Sequence, residues 1–304
     1  MPVTPSEADI YDHIVTAGGR TELGPGTAAA LALGAYKRAF STVAPAWPTV
    51  PPAGWTFVLA DSGALSGYDG YALIHQPSNT LVVGNRGTEG SRSLTDWLED
   101  AGDALFDRGK GQMADALAFL VRAVQTAAPA RIDKILAVGH SLGAALAELQ
   151  ASLGRRVLQN AGLPPAPIAA IGFGSAGFKS AIFAYAGTFN LTIDPGAPAA
   201  CVNYTRARDA VHVLQPRWAV MGSVVPCASV YTTILSRTGN PKDQVAYFQP
   251  TADLLENHRM DLYCGWWQLG ADHHLYRPWR TKAYEVREGA EANWRPSVGR
   301  PAGA

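Results

Sequence analysis

The chain has 304 residues, of which 47% are hydrophobic and 16% charged, a composition that supports a large packed core and excludes a disordered chain. Lysine plus arginine equals aspartate plus glutamate at 25 each, so no basic surplus is available to neutralise a nucleic-acid backbone, and no nucleic-acid partner is expected. No stretch reaches the ~18 apolar residues of a membrane span, so no transmembrane segment is expected either.

Residues 1–90 are predicted to contain one helix and three strands. Apolar residues at helical spacing, among them Leu31 and Ala35, predict a helix over residues 27–40. Three short runs rich in β-branched or aromatic residues follow, and turn residues separate them. These runs predict strands over residues 55–59, 71–75 and 80–84, two of them joined in a hairpin.

Helices and strands alternate from residue 112 onward. The apolar pattern predicts helices over residues 112–126 and 144–158, and strands over 132–138, 168–173 and 201–205. Such alternation is typical of an α/β domain, so we expect a central, mostly parallel sheet flanked by helices, with residues 1–304 forming a single domain. Residues 295–304 are rich in proline, glycine and alanine and predict a loose tail.

A Gly-x-Ser-x-Gly motif at residues 139–143 stands between a predicted buried strand and an alanine-rich helix. This is the setting of a nucleophile elbow, in which a serine occupies a tight, strained turn while the flanking glycines let strand and helix pass closely. The motif predicts the α/β-hydrolase fold with Ser141 as nucleophile and the Leu142 N–H as one oxyanion donor. The alternative is a plain glycine-flanked turn.

Two further segments join this motif in a recognisable pattern. A predicted strand runs into Arg-Gly-Thr at residues 86–88, and Asp-Trp-Leu-Glu-Asp follows at 96–100, before Gly-His-Ser-Leu-Gly. The combination resembles the class 3 lipases, the fungal-type triacylglycerol lipase family. The resemblance implies that Thr88 supplies the second oxyanion N–H and that Asp100 fixes its hydroxyl. The departures from the family pattern are Asn85, where an aromatic or small apolar residue is commoner, and the odd cysteine count.

The acid of a serine hydrolase of this fold follows the serine in sequence and precedes the histidine. Asp209 is the candidate, because it follows the predicted strand 201–205 and open α/β sheets place their chemistry at strand ends. Its segment also resembles the acid segment of the lipase family, Asp-x-Val-x-x-Leu-x-Pro. The alternative is a carboxylate in a surface loop.

The candidate base is His258, whose surroundings resemble the His-x-Met-x-x-Tyr pattern of many bacterial class 3 lipases. His274 is the rival, because the family also uses a His-Leu-x-Tyr pattern. His212 lies close to Asp209 in sequence and does not easily reach Ser141. His140, beside the nucleophile, is expected to be structural.

A second glycine motif, Gly-x-Gly-x-x-Gly at residues 172–177, follows a predicted buried strand, and Asp194 lies near the spacing of a ribose-binding acid. A dinucleotide site would need a full helix after these glycines, whereas residues 178–186 are a short stretch. The same segment resembles a loop near the active site of class 3 lipases, so the sequence disfavours a nucleotide site.

The three cysteines, Cys201, Cys227 and Cys264, form no CxxC pair, so buried thiols are expected rather than a zinc or redox site, and one disulfide is a further option. Residues 1–20 lack the charged and apolar regions of a signal peptide. The compartment therefore stays open, either the cytoplasm or that of a secreted mature protein.

The pattern as a whole predicts a lipase or carboxylesterase that works through an acyl-enzyme without a metal or organic cofactor. Its expected partner is an acyl ester or lipid, with a lipid–water interface as a candidate place of action. A feruloyl- or phospholipid-type esterase and a non-catalytic lipid-binding relative are the alternatives. Residues 91–106, with Leu94, Trp97 and Leu98 on one side, are the candidate lid, against a permanently packed amphipathic helix.

Overall fold

A seven-stranded sheet forms the centre of the structure, a computed structural model that describes residues 23–36, 53–62, 66–87, 104–206, 209, 220–227, 232–236, 245–247, 258 and 284–286. The strands are β1 Trp55–Ser62, β2 Asp69–His75, β3 Thr80–Asn85, β4 Lys134–His140, β5 Ile168–Phe173, β6 Cys201–Arg206 and β7 Ser223–Cys227. They lie in sequential order, with β1, β2 and β3 antiparallel and β3 to β7 parallel. The mostly parallel sheet predicted from the sequence is confirmed.

Helices connect and flank these strands. They are α1 Pro25–Tyr36, α2 Ala104–Ala127, α3 Leu142–Asn160, α4 Lys179–Thr188 and the short α5 Ala197–Ala200. A second, antiparallel sheet contains β8 Thr232–Ser236, β9 Val245–Tyr247 and β10 Tyr284–Val286. Its strand order is β10-β8-β9. None of the helices in the described ranges combines the length and apolarity needed to cross a bilayer.

Both faces of the central sheet are covered, which explains its uninterrupted apolar strands. On one face, Leu81, Val83 and Ile135 belong to a core that also contains buried residues of α2 and α3. Tyr71 lies opposite Gly84 in the pairing of β2 and β3, so its side chain points to the other face. There its hydroxyl donates a 2.7 Å hydrogen bond to the Leu31 carbonyl, which ties α1 to the sheet.

Most predicted elements are found with small changes at their ends. The predicted hairpin is formed by β2 and β3, which a 3₁₀ turn at Gln76–Ser78 joins through Asn79 in the left-handed conformation. Helix α2 begins at Ala104, eight residues before its predicted start, and so takes in residues 104–106 of the candidate lid. The rest of the candidate lid and the tail 295–304 lie outside the described residues.

The carboxyl ends of β4, β5 and β6 lie side by side. His140, the last residue of β4, pairs with Phe173, which pairs in turn with Tyr204. The residues that follow these strands are therefore brought to one edge of the sheet, where open α/β folds bind their ligands.

Candidate active site

Ser141 links β4 to α3 in a strained backbone conformation. Its φ of 56° and ψ of −124° lie in a region that non-glycine residues rarely adopt, and such a conformation costs about 1–3 kcal/mol. Surrounding hydrogen bonds hold it in place: its N–H donates to the Phe173 carbonyl at 3.0 Å, and its own carbonyl accepts from Ala144 and Ala176 at 3.1 and 3.3 Å. This geometry is that of the predicted nucleophile elbow.

Gly139 and Gly143 are the residues that permit this turn. A Cβ on Gly139 would lie 2.3 Å from the backbone of Gly143, and a Cβ on Gly143 would lie 2.3 Å from the Asn85 carbonyl oxygen. The first turn of α3 therefore packs directly against the end of β4 and the end of β3. The predicted reason for both glycines, close passage of strand and helix, agrees with these distances.

The loop after β3 is anchored where it leaves the sheet. Arg86 Nη1 lies 2.5 Å from Asp69 Oδ2, and the Arg86 N–H donates to the Asp69 carbonyl at 3.0 Å. Gly87, the last described residue of the loop, is buried. Thr88 and Asp100 lie outside the described residues, so their predicted roles stay predictions.

Asp209 and His258 form a buried pair. The carboxylate is 0% exposed, and His258 Nδ1 lies 2.9 and 3.0 Å from its two oxygens. A carboxylate only accepts hydrogen bonds, so Nδ1 carries the proton and Nε2 carries a lone pair. Nε2 is buried, and it has no hydrogen-bond partner within the described part of the chain. Asp209 thus fixes the Nδ1 side of the imidazole, whereas no hydrogen bond joins His258 Nε2 to Ser141 Oγ in the structure.

His140 lies beside this pair. Its ring centre is 4.5 Å from that of His258, and its Nε2 donates a 2.6 Å hydrogen bond to the backbone carbonyl of His258. Burial, together with repulsion from His258, lowers the pKa of His140 to about 3, although the Asp209 charge and the hydrogen bond to His258 oppose this. His140 is therefore neutral at neutral pH and fixes the backbone of His258.

The segment that follows β5 contacts both parts of the site. Gly174 has a φ of +52°, and a Cβ there would lie 2.9 Å from Asp209 Oδ2 and 3.0 Å from His258 Nδ1. Two residues later, the Ala176 N–H donates to the Ser141 carbonyl. We refer to residues 174–176 as the β5 loop. The β5 loop therefore contacts both the Asp209–His258 pair and Ser141.

The glycines of the rival nucleotide motif are explained by contacts inside the protein. A Cβ on Gly172 would lie 2.1 Å from Asn203 Oδ1, and Gly174 is needed beneath the Asp209–His258 pair. Asp194 accepts a hydrogen bond from the Gly196 N–H at 2.8 Å and lies 3.7 Å from Arg155. Its carboxylate thus closes a turn and forms a surface ion pair.

Two buried polar side chains of α3 were not predicted. Glu148 accepts hydrogen bonds from the loop after β5, from β6 and from the segment before β7. Gln150 Oε1 accepts from Asn85 Nδ2 at 2.8 Å, and its Nε2 donates to the Ala116 carbonyl at 2.9 Å. The available signal was a glutamate and a glutamine within an otherwise apolar stretch of predicted helix.

The remaining candidates fall elsewhere. His212 and His274 lie outside the described residues, so the structure does not compare them with His258. Cys201 is a buried free thiol. Among the residues that the structure describes, no group of three or more His, Cys, Asp or Glu side chains could hold a metal ion.

No protein-family profile and no curated protein sequence matches this chain. Its structural neighbours are fungal class 3 triacylglycerol lipases. The lipase from Rhizopus microsporus var. chinensis is 21% identical with a TM-score of 0.45, over 74% of this chain and 76% of that chain. The triacylglyceride lipase of Rhizomucor miehei is 14% identical with a TM-score of 0.46, over 79% and 95% of the two chains. The Lip2 lipase of Yarrowia lipolytica is 15% identical with a TM-score of 0.44, over 78% and 91%. At these identities the likeness concerns the fold alone.

Proposed function

We propose that this protein is a serine carboxylic-ester hydrolase, a lipase or esterase that acts on acyl esters such as acylglycerols. The observation that carries the proposal is the buried Asp209–His258 pair, at the sheet edge where the strained Ser141 follows β4. A histidine that binds a carboxylate through Nδ1 has an Nε2 lone pair with which to take a hydroxyl proton. The strained serine turn and the glycines around it support the same chemistry.

The reaction proceeds by acyl transfer in two halves. Ser141 Oγ attacks the ester carbonyl while His258 Nε2 takes the hydroxyl proton, and the protonated imidazole then gives that proton to the departing alcohol. Water, deprotonated by His258, attacks the acyl-enzyme, releases the carboxylic acid and restores Ser141. Asp209 orients the imidazole and stabilises its charged form.

The oxyanion of each tetrahedral intermediate needs hydrogen-bond donors. The Leu142 N–H is one proposed donor, because it belongs to the first residue of α3 and follows the nucleophile directly. The Thr88 N–H is the second proposed donor; Thr88 follows Arg86 by two residues in the sequence, and Arg86 is anchored to Asp69. The chemistry calls on these residues and water, with no role for a metal or organic cofactor.

The first test is burst kinetics with a p-nitrophenyl acyl ester. The wild-type protein is expected to release about one equivalent of nitrophenol rapidly per active site. Ser141→Ala is expected to lower turnover on the order of 10⁶-fold. Ser152→Ala changes a buried serine within α3 and is the matched control, which is expected to keep wild-type turnover. Retention of more than about a tenth of the activity in Ser141→Ala would exclude Ser141 as nucleophile.

The acid and the base are tested with the same ester. His258→Ala and Asp209→Asn are each expected to lower turnover by about 10⁴-fold or more, because the first removes the proton acceptor and the second its orienting charge. If His258→Ala stays active while His274→Ala does not, the base is His274. A protein that binds lipid but neither hydrolyses esters nor reacts with a fluorophosphonate at Ser141 would favour a lipid-binding relative. Feruloyl and phospholipid esters assayed in parallel test the alternative substrate classes.

A further inference from the structure

Glu148 is the only acidic residue of α3, and it is completely buried. Its Oε1 accepts hydrogen bonds from Ser175 Oγ at 2.5 Å and from Asn203 Nδ2 at 2.9 Å, and its Oε2 accepts from the Met221 N–H at 2.7 Å. These donors belong to the β5 loop, to β6 and to the segment before β7. A single carboxylate therefore joins α3, the helix that follows Ser141, to three neighbouring segments at the edge of the sheet.

Two of these pieces hold the proposed acid and base. Ser175 stands between Gly174, which lies directly beneath Asp209 and His258, and Ala176, whose N–H binds the Ser141 carbonyl. Asn203 lies in β6, the strand that leads to Asp209. Glu148 thus holds the middle residue of a loop whose two ends contact the two halves of the site.

The carboxylate is costly to bury, which argues that its charge has a use. Burial raises the pKa of Glu148 to about 7, and the hydrogen bonds from Ser175, Met221 and Asn203 oppose the rise. The ionisable group that faces Glu148 from β6 is Cys201, whose pKa burial raises to about 12, so that thiol stays neutral. Beyond Gly174, the facing ionisable groups are Asp209 and His258 themselves. No cation is paired with Glu148 among the described residues, and an amide or apolar residue would fill such a place at lower cost.

We propose that Glu148 is a positioning residue: its ionised carboxylate holds the β5 loop, and through it Asp209 and His258, in register with Ser141. The inference rests on the proposed hydrolase activity. It adds that the protonation state of Glu148, besides that of the reacting groups, controls this activity. A protonated Glu148 becomes an O–H donor and loses charge-assisted acceptance of three hydrogen bonds. Asn203 Oδ1 is buried and has no hydrogen-bond partner in the described ranges, so a turned Asn203 amide can accept that proton.

Glu148→Gln tests the positioning role, because glutamine has the shape of the protonated side chain and does not titrate. We expect kcat per titrated active site to fall about tenfold or more with KM within about threefold of wild type, since small misplacements of reacting groups can cost about 100-fold. Active sites are counted with a fluorophosphonate, so unfolded protein does not contribute. Ser152→Ala, which loses only a bond to the Glu148 backbone carbonyl, is the control. A kcat within twofold of wild type in Glu148→Gln would overturn the proposal.

The pH dependence supplies a readout that a merely structural role would not change. The His258 ring Cε1–H resonance of the wild-type protein, followed by NMR across pH, should show an inflection that reports the ionisation of Glu148. That inflection should vanish in Glu148→Gln. It should move to higher pH in Ser175→Ala, because the Ser175 hydrogen bond lowers the pKa of Glu148. An inflection that persists in Glu148→Gln contradicts the coupling.

The two proposals fail in different ways. A wild-type protein that neither turns over esters nor reacts with the fluorophosphonate contradicts the hydrolase, while the His258 resonance still reports whether Glu148 is coupled to it. If the protein hydrolyses esters, and if Glu148→Gln changes neither its kcat nor the pH dependence of the His258 resonance, only the positioning role is contradicted. If Glu148→Gln does not fold, Ser175→Ala decides alone: an unmoved inflection overturns the proposal, and an upward shift supports it.

Discussion

Two residues at the proposed site, Ser141 and Gly174, have positive φ angles. Ser141 carries its strain with a side chain, because a hydroxyl at that point is the proposed nucleophile. Gly174 adopts its φ of +52° without strain, and its missing side chain leaves room for the carboxylate and imidazole above it. A site of this kind therefore depends on one residue that has no side chain as much as on those that react.

Gly174→Ala is expected to lower ester turnover by about 100-fold or more, with a smaller effect on folding. The new Cβ would meet Asp209 Oδ2 at 2.9 Å and His258 Nδ1 at 3.0 Å, so the buried pair must shift. Gly187→Ala is the matched control, since a Cβ at Gly187 meets nothing within 4 Å. Turnover and thermal unfolding of both variants check this, and wild-type turnover in Gly174→Ala would contradict the placement of the pair.

Helix α3 is more than a support for Ser141, because two of its buried side chains reach opposite sides of the site. Glu148 binds β6, the strand that precedes Asp209, and the β5 loop, which contacts both Asp209 and His258. Gln150 binds Asn85, whose carbonyl lies under Gly143 and whose side-chain oxygen accepts from the Tyr68 hydroxyl at 3.0 Å. Asn85 departs from the lipase pattern, and this buried amide contact gives the departure a structural reason.

The stability of the protein relative to Glu148→Gln is expected to fall as the pH rises. The folded state raises the pKa of Glu148 from 4.5 to about 7, so the native protein binds this proton more tightly than the unfolded chain. The resulting stabilisation is fully present below pH 4.5 and is lost as the pH rises through about 7. At about 1.4 kcal/mol per pKa unit, the raised pKa of Glu148 corresponds to a change of about 3 kcal/mol in the free energy of unfolding between low and high pH.

Urea unfolding of both proteins at pH 4.5, 6 and 8 measures this difference, and groups common to both cancel. A difference in unfolding free energy that does not change with pH would show that Glu148 has an ordinary pKa in the folded protein. Confirmation would mean that the state proposed to be active is the less stable one, a known compromise of functional sites.

Elements with a local pattern could be predicted from the sequence, and those without one could not. Strand β5 was predicted with its observed ends, because it is an apolar run between turn residues. The start of α2 was missed because residues 104–111 contain two glycines and several charges, which interrupt the apolar pattern and disfavour a helix. Strand β7 includes Pro226, which suits its place at an edge of the described sheet but hides it from a strand pattern.

The candidate site divides in the same way. Ser141 and its glycines form a local motif, so their turn could be predicted with its physical reason. Chain order and the family resemblance indicate Asp209 and His258, but only the folded chain shows His258 Nδ1 at 2.9 Å from Asp209 Oδ1. Glu148 could not be predicted, because the partners of a buried carboxylate are set by tertiary packing that no local pattern contains.

At the scale of the whole molecule, the central sheet and the proposed site draw on the chain differently. Strands next to each other in the sheet are also next to each other in sequence. The contact between His140 and the His258 carbonyl instead joins residues 118 positions apart, and Asp209 lies 49 positions from His258. During folding, the central sheet can form by pairing strands that are consecutive in sequence. The proposed site is complete only after the segment that contains His258 has reached the sheet edge.

This separation has a consequence for refolding. Contacts between distant residues form more slowly than local ones, since a long loop must be closed before any favourable contact is made. After dilution from denaturant, tryptophan fluorescence is expected to recover before the ability to react with a fluorophosphonate, and simultaneous recovery would contradict this order. During the interval the chain would have its central sheet but not yet the contact between His258 and the end of β4, so newly made molecules would be folded before they could react with the probe.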